Sequence, residues 1–434
     1  MNASDRAGFL ADESALDPED FVFETYVFET AGDAEETAVH LCAEHSTALW
    51  SRPGVDEDYR PRHAAKLVRL EVLEKGVPPV LDLPYHRGEV FTRVRARIAH
   101  PHRNFGPRIP NLLTAVCGEG AFFAPGASMI KLMDLEFPSS FLDRFPGPAF
   151  GVEGLRALLQ AWDRPIFLGV VKPNVGLEPD AFARLAYASW LGGLDAPKDD
   201  EMLADAEDSP FERRAARLGS LRKRAEDETG RPLMFIGNIT DEVERMASLL
   251  DVAVASGVNA VMINGVATGL PAVRFVRERS SVPMVGHFDL IAPSSRLPFF
   301  GVHSVVWTKL QRLAGFDAII MPGFGDRMYT PPPEVLANVR ACLDPMGNLR
   351  RSLPVPGGSD WAGTLGAVHE RLGTVDFGFV PGRGVFGHPG GPEEGARSIV
   401  DAWEAIREGK TLEEKATESE PVRRAIEAFH PPSH

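Results

Sequence analysis

The feature that most constrains this chain is a series of short, continuously apolar runs after residue 165. They fall at 166–171, 194–197, 233–237, 260–263, 284–286, 318–321, 353–355 and 375–380. A strand buried on one face alternates apolar and polar residues, whereas a parallel strand covered on both faces does not. Stretches with helical apolar spacing, such as 241–256 and 304–314, separate the runs. Eight strand-helix repeats predict an α/β chain built on a (β/α)8 TIM barrel. The earlier part reads differently. Residues 22–30 alternate loosely as a strand, 31–45 have helical spacing with an acidic first turn, and 93–99 alternate again. Pro138, Pro146 and Pro148 mark the change of character. The expected organisation is an α+β domain over 1–148, then the barrel with a C-terminal helical extension over 149–434.

Charge narrows the partners. Lys and Arg number 46 against 61 Asp and Glu, a formal net charge of −15. Nucleic acid and anionic membranes reward clustered positive charge, so neither is expected as a partner. The longest uncharged run, 252–273, carries Gly257, Asn259, Asn264, Gly265, Gly269 and Pro271, which suits a buried strand with turns and not a membrane span. The first residues are polar and acidic, unlike a signal or transit peptide. Cys42, Cys117 and Cys342 are too few and too scattered for a disulfide scaffold. A cytoplasmic protein is expected.

Chemistry in such barrels gathers where the strands end. Those positions hold Lys172-Pro173-Asn174, Lys198-Asp199-Asp200-Glu201, Asn238, Asn264, His287, Gly323 to Arg327, Gly357-Gly358-Ser359 and Gly382-Arg383-Gly384. Lys172 ends an apolar run, where a desolvated amine can act as a base or a Schiff-base nucleophile; the plainer reading is a lysine reaching out over the rim. Lys198 to Glu201 can be a solvated charge run. With a period of two, however, Lys198 and Asp200 share one side, and two carboxylates begin a Mg2+ site. An ammonium would repel that ion, but a carbamate formed on Lys198 by CO2 would supply an oxyanion. His287 is either a structural hydrogen-bonding group or a site residue. The paired glycine loops after the seventh and eighth runs suit a phosphate, because backbone N–H groups approach a ligand most closely without a Cβ.

Five segments resemble the large subunit of RuBisCO, in order along the chain: GVVKPNVGL (169–177), LGGLDAPKDDE (191–201), GHF (286–288), LPVPGGSD (353–360) and GRGVFGHPGG (382–391). AEHSTALW (43–50) resembles the segment that the partner subunit contributes to the family's active site. The resemblance implies an N-terminal ferredoxin-like domain before the barrel, and a homodimer whose active sites are shared between subunits. It matches Lys172 to the lysine of the enolisation centre and Lys198 to the carbamylated lysine. Asp200 and Glu201 match the other Mg2+ ligands, His287 the histidine of the fifth strand, Glu44 the partner's carboxylate, and Asn238 a polar residue near the metal.

Other positions depart from the family pattern. The second lysine of the first motif is Asn174, and the arginine after the histidine is Phe288. The sixth strand lacks histidines. The loop that should carry the carboxylation lysine reads PGFGDRM with Arg327, the N-terminal asparagine is Glu119, and one phosphate-loop glycine is Arg383. Enolisation groups persist while carboxylation groups are missing. The chain therefore resembles the RuBisCO-like (form IV) proteins, most of all the branch from phototrophic bacteria that is linked to sulfur metabolism and oxidative stress. The resemblance implies a Mg2+-assisted enolase or isomerase acting on a phosphorylated keto-sugar-like or methylthio-sugar compound. Gly357, Gly358, Ser359, Gly382, Arg383, Gly384, Arg327, Asn174, Glu44 and Glu119 would bind the substrate. Two other readings stand beside it: a Schiff-base lyase using Lys172 or Lys198, and a non-catalytic binding or regulatory protein on the same scaffold.

Overall fold

The computed structural model describes residues 6–48, 58–81, 89–325 and 327–429. The chain divides into two compact units. One comprises Met1–Pro146, Leu290–Leu313 and Pro345–Leu349; the other comprises Gly147–Asp289, Ala314–Asp344 and Arg350–His434. In the first, strands β1 (Phe21–Thr30), β2 (Lys66–Val77), β3 (Phe91–Pro101) and β4 (Ala127–Glu136) pair antiparallel in the order β4-β1-β3-β2. The helix Ala34–Glu44 lies between β1 and β2 in sequence, and Ile109–Val116 between β3 and β4. That βαββαβ order is the ferredoxin-like arrangement. Asp33 caps the first helix, its carboxylate accepting the Glu36 N–H at 2.8 Å, with Glu35 and Glu36 in the first turn where the helix dipole favours negative charge.

The barrel strands follow: β5 (Ile166–Val170), β6 (Ala196–Lys198), β7 (Ile236–Asn238), β8 (Ala260–Ile263) and β9 (Met284–Gly286). Next comes β10 (Gly301–Val302), which leaves the barrel series and pairs parallel to β4 as a fifth strand of the first sheet. The series resumes with β11 (Ala318–Pro322), β12 (Leu353–Gly357) and β13 (Gly378–Phe379). The eight parallel strands run β12-β11-β9-β8-β7-β6-β5-β13. At the closing seam a Cβ on Gly378 of β13 would meet Val355 of β12 at 2.8 Å. All eight apolar runs thus become barrel strands.

The reason the runs are continuously apolar is visible in β5. Ile166 and Leu168 join the inner core with Ile236, Met262, Val285, Ile320 and Val355, whereas Phe167 packs outward with Phe379, Ile399 and Trp403. Buried carboxylates tie the strand starts together. Asp317 accepts the N–H groups of Phe150, Gly151 and Met284 and pairs with Arg277 at 3.0 Å. No helix among the described residues is long and apolar enough to cross a membrane, and the three cysteines are free thiols.

Candidate active site

The turn after β6 shows how one short sequence sorts its charges. Lys198 and Asp200 project to one side, as period two requires, and Asp199 to the other. Asp199 is fully buried, receives a two-pronged contact from Arg214 at 2.9 and 3.1 Å, and accepts the Asn238 N–H at 2.8 Å. Its charge is spent on holding the turn. Asn238, the last residue of β7, completes the support by donating from Nδ2 to the carbonyls of Asp200 and Glu201 at 3.2 and 3.0 Å. Asn264, after β8, donates to the same Glu201 carbonyl at 3.2 Å, and its buried Oδ1 has no hydrogen-bond partner.

Four charged groups meet at the end of β6. Lys172 Nζ donates to Asp200 Oδ2 at 2.6 Å and to Asn174 Oδ1 at 2.9 Å. Lys198 Nζ donates to the Asp199 carbonyl at 2.9 Å and lies 3.3 Å from Glu201 Oε2. Burial pushes the Lys198 amine below the ordinary lysine value, against the pull of Glu201 and Asp200. Burial would raise the Glu201 carboxyl, but Lys198, His287, a backbone N–H and Lys172 together outweigh it and hold the group down at about 2. His287 Nε2 stands 3.4 Å from Glu201 Oε2, and its ring stacks on Phe288 at 4.7 Å.

Lys172, Lys198, Glu201 and His287 open into a cavity of about 700 Å³ inside the barrel mouth, which Gly357, Gly358, Ser359, Gly382, Arg383, Gly384 and Arg327 also line. That volume is ordinary for a small-molecule site. Asp200 reaches the cavity through its bond to Lys172, and Asn174 stands half-buried beside them. The structure does not bring every expected residue here. Glu44 and Glu119 line a separate cavity of about 1100 Å³ in the ferredoxin-like unit, with His45 and Asn104. Leu49 and Trp50 of the AEHSTALW segment, and Asp326 of PGFGDRM, lie outside the described residues.

Sequence reasoning missed part of the wall. Met328, Trp361 and Phe429 line the cavity with Asp360, Val380 and Ile320. Phe429 ends the amphipathic helix Glu420–Phe429 and packs against Trp361 at 5.9 Å. The helix was detectable from its periodicity, but its destination was not. Asp360 stands 95% buried beside the glycines, and burial lifts its carboxyl to about 6, with the Gly358 N–H and Thr364 hydroxyl pulling the other way. An acid raised above its unfolded value of 3.8 leaves the folded state unpenalised below about pH 4, and the penalty grows as pH rises through 6. Asp360→Asn is therefore expected to raise stability at pH 8 by roughly 3 kcal/mol and to leave it unchanged near pH 4. Urea unfolding at both pH values is the check; a gain that is equal at both would contradict the assignment.

A family model for the "Ribulose bisphosphate carboxylase large chain, catalytic domain" matches residues 151–429. A RuBisCO-like protein of Allochromatium vinosum is 58% identical over 100% of this chain and 95% of its own length. A 3-oxo-isoapionate-4-phosphate transcarboxylase/hydrolase of Xanthobacter autotrophicus is 31% identical over 93% of this chain and 98% of its own. The crystal structure of a rubisco-like protein from Burkholderia fungorum superposes with a TM-score of 0.87 at 29% identity, covering 95% of this chain and 100% of that one. With the eight-stranded barrel, the lysine-carboxylate cluster closing its second strand and matches over essentially the whole chain, this protein belongs to the RuBisCO large-chain family, among its RuBisCO-like members.

Proposed function

We propose that the barrel mouth removes a proton from a carbon next to a carbonyl in a phosphorylated, keto-sugar-like compound, and that it does not carboxylate. The observation that carries this reading is the position of Lys172 Nζ, 2.6 Å from Asp200 and facing the same cavity as Lys198, Glu201 and His287. Lys172 in its neutral amine form takes the proton and becomes the ammonium, which Asp200 then stabilises, and Asn174 and Asp200 orient its nitrogen. Where the family pattern has a further lysine and an arginine, Asn174 and Phe288 stand instead, so groups that would hold a carboxylated product are missing. A phosphorylated substrate also suits the Xanthobacter relative, whose name specifies a sugar-acid phosphate. A methylthio-sugar phosphate, and a role in sulfur metabolism or oxidative stress, are what the resemblance adds to this reading.

For Mg2+ the donor chemistry fits with one condition. Asp200 and Glu201 are adjacent carboxylates, and Asn264 Oδ1 is a buried acceptor without a partner. No group of three His, Cys, Asp or Glu able to hold a metal occurs among the described residues; the resemblance assigns the third charged oxygen to a carbamate on Lys198. The buried, weakly basic amine of Lys198 suits that role: its nitrogen lone pair attacks CO2, a carbamate forms and one proton is released. A bound divalent ion would polarise the carbonyl and stabilise the enediolate. Asp200→Asn is expected to weaken Mg2+ binding in bicarbonate by about tenfold or more, measured by calorimetry on the full-length protein. An unchanged isotherm would remove Asp200 from the ligand set.

Arg327 and Arg383 serve the anionic end of the substrate; neither guanidinium has a carboxylate partner among the described residues, and both line the cavity. Glu44 and Glu119 lie in the other unit's cavity, and we assign them to the active site of a second copy in a homodimer, as the resemblance implies. A cytoplasmic location is part of the same reading.

A further inference from the structure

Asp360 does not fit an anion cradle. A glycine loop binds phosphate by pointing its amides at the ligand. In the loop after β12, the Gly358 N–H instead donates to Asp360 Oδ2 at 3.1 Å. The other carboxylate oxygen lies 3.4 Å from the Thr364 hydroxyl, and no Lys or Arg bonds to either oxygen among the described residues. Asp360 lines the cavity while only 5% exposed. Nothing suggests an accidental placement: Ser359 before it takes a left-handed φ of 62°, a costly conformation without glycine. A Cβ on Gly384 would come within 2.4 Å of the Asp360 carbonyl oxygen, so the β12 and β13 loops abut. On the β13 side stands Arg383, its guanidinium 5.8 Å from the Phe429 ring centroid and without a carboxylate partner among the described residues.

We propose that Asp360 is a specificity-determining residue: it takes up the anion-binding capacity of the β12 loop, accepts a ligand hydroxyl there, and leaves the ligand's anionic group to Arg383 and Arg327. The ligand class that follows is a compound with one anionic group at this end and a hydroxyl a carbon or two away from it. A bare anion gains little from such a loop, because the carboxylate repels it. A hydroxylated one gains a hydrogen bond to a charged acceptor in a desolvated place. The inference rests on the reading that this end of the cavity takes an anion, and it goes further by stating what stands next to that anion.

Two probes separate the parts. Glycerol 3-phosphate and propyl phosphate carry the same anionic group and differ in hydroxyls. Calorimetry on the full-length protein is expected to show wild type favouring glycerol 3-phosphate by about tenfold, and Asp360→Leu losing that preference. Inorganic sulfate, whose charge is constant near neutral pH, is expected to bind Asp360→Asn about tenfold more tightly than wild type. The isosteric Asn variant also guards against a folding defect in the Leu variant. The proposal is overturned if the Leu variant keeps the wild-type preference, or if the Asn variant binds sulfate no more tightly. Arg383→Met tests the underlying reading separately: sulfate affinity unchanged by that substitution would remove the anion site, whereas a loss there with no effect at Asp360 would leave the site standing and sink only the hydroxyl assignment.

Discussion

Replacing Lys172 with alanine is expected to slow hydrogen-deuterium exchange at the carbon next to the carbonyl of a phosphorylated keto compound by roughly 10²–10⁴, the range for removing a positioned general base. The measurement is loss of the carbon-bound proton signal in D2O. Lys172→Arg is the sharper variant. It keeps a cation beside Asp200, which accepts from Lys172 at 2.6 Å, but a guanidinium does not give up its proton at neutral pH and so cannot take one from carbon. If Lys172 only neutralised Asp200, the arginine variant would retain exchange; if it is the base, both variants lose it. Exchange undiminished in both removes Lys172 from the reaction. Borohydride added with substrate distinguishes the rival chemistry, because a reduced adduct on Lys172 or Lys198 would mean a Schiff base.

The legible parts of this chain were those in which local pattern and tertiary environment demand the same residues. The continuously apolar runs became barrel strands because each has one set of side chains in the inner core and another under the helices, as Ile166, Leu168 and Phe167 show. In the 198–201 turn, strand periodicity alone puts Lys198 and Asp200 together. Strand β2 was missed for the opposite reason. Most of Lys66–Val77 is exposed, and its apolar residues share no single buried face: Leu67 is buried, whereas Val72 and Leu73 stand in solvent. It exists because its backbone pairs with β3 along nearly its full length. Two residues in β10 give no periodic signal at all, and their pairing with β4 joins segments far apart in sequence. Asp360 and Phe429 reach the cavity through long-range packing, which a single sequence does not encode locally. Periodicity likewise turns Asp199 the other way, but its partner there, Arg214 in the helix Phe211–Thr229, is set by tertiary packing.

That arginine carries the second large effect. Arg214 is fully buried against Asp199, and its remaining donors serve the carbonyls of Ser209 and Ala204 at 2.5 and 2.6 Å. Arg214→Ala leaves a carboxylate without its cation in a place that water does not reach. The expected cost is about 3–5 kcal/mol of unfolding free energy, read from urea unfolding monitored by tryptophan fluorescence. A comparison on the same helix fixes the cause: Arg224 and Glu228 also pair, at 2.8 Å, but in solvent, and Arg224→Ala is expected to leave the unfolding midpoint nearly unchanged. Replacing both partners, Asp199→Leu with Arg214→Met, removes the stranded charge and should recover most of the lost stability. The double variant is nevertheless expected to exchange substrate protons slowly. The Asn238 N–H loses its acceptor, and the turn that aims Lys198 and Asp200 in one direction loses what pins Asp199 in the other. Stability restored without activity would assign Asp199 and Arg214 to positioning the cluster. Activity restored along with stability would mean that the turn holds its shape through Asn238 and Asn264 alone.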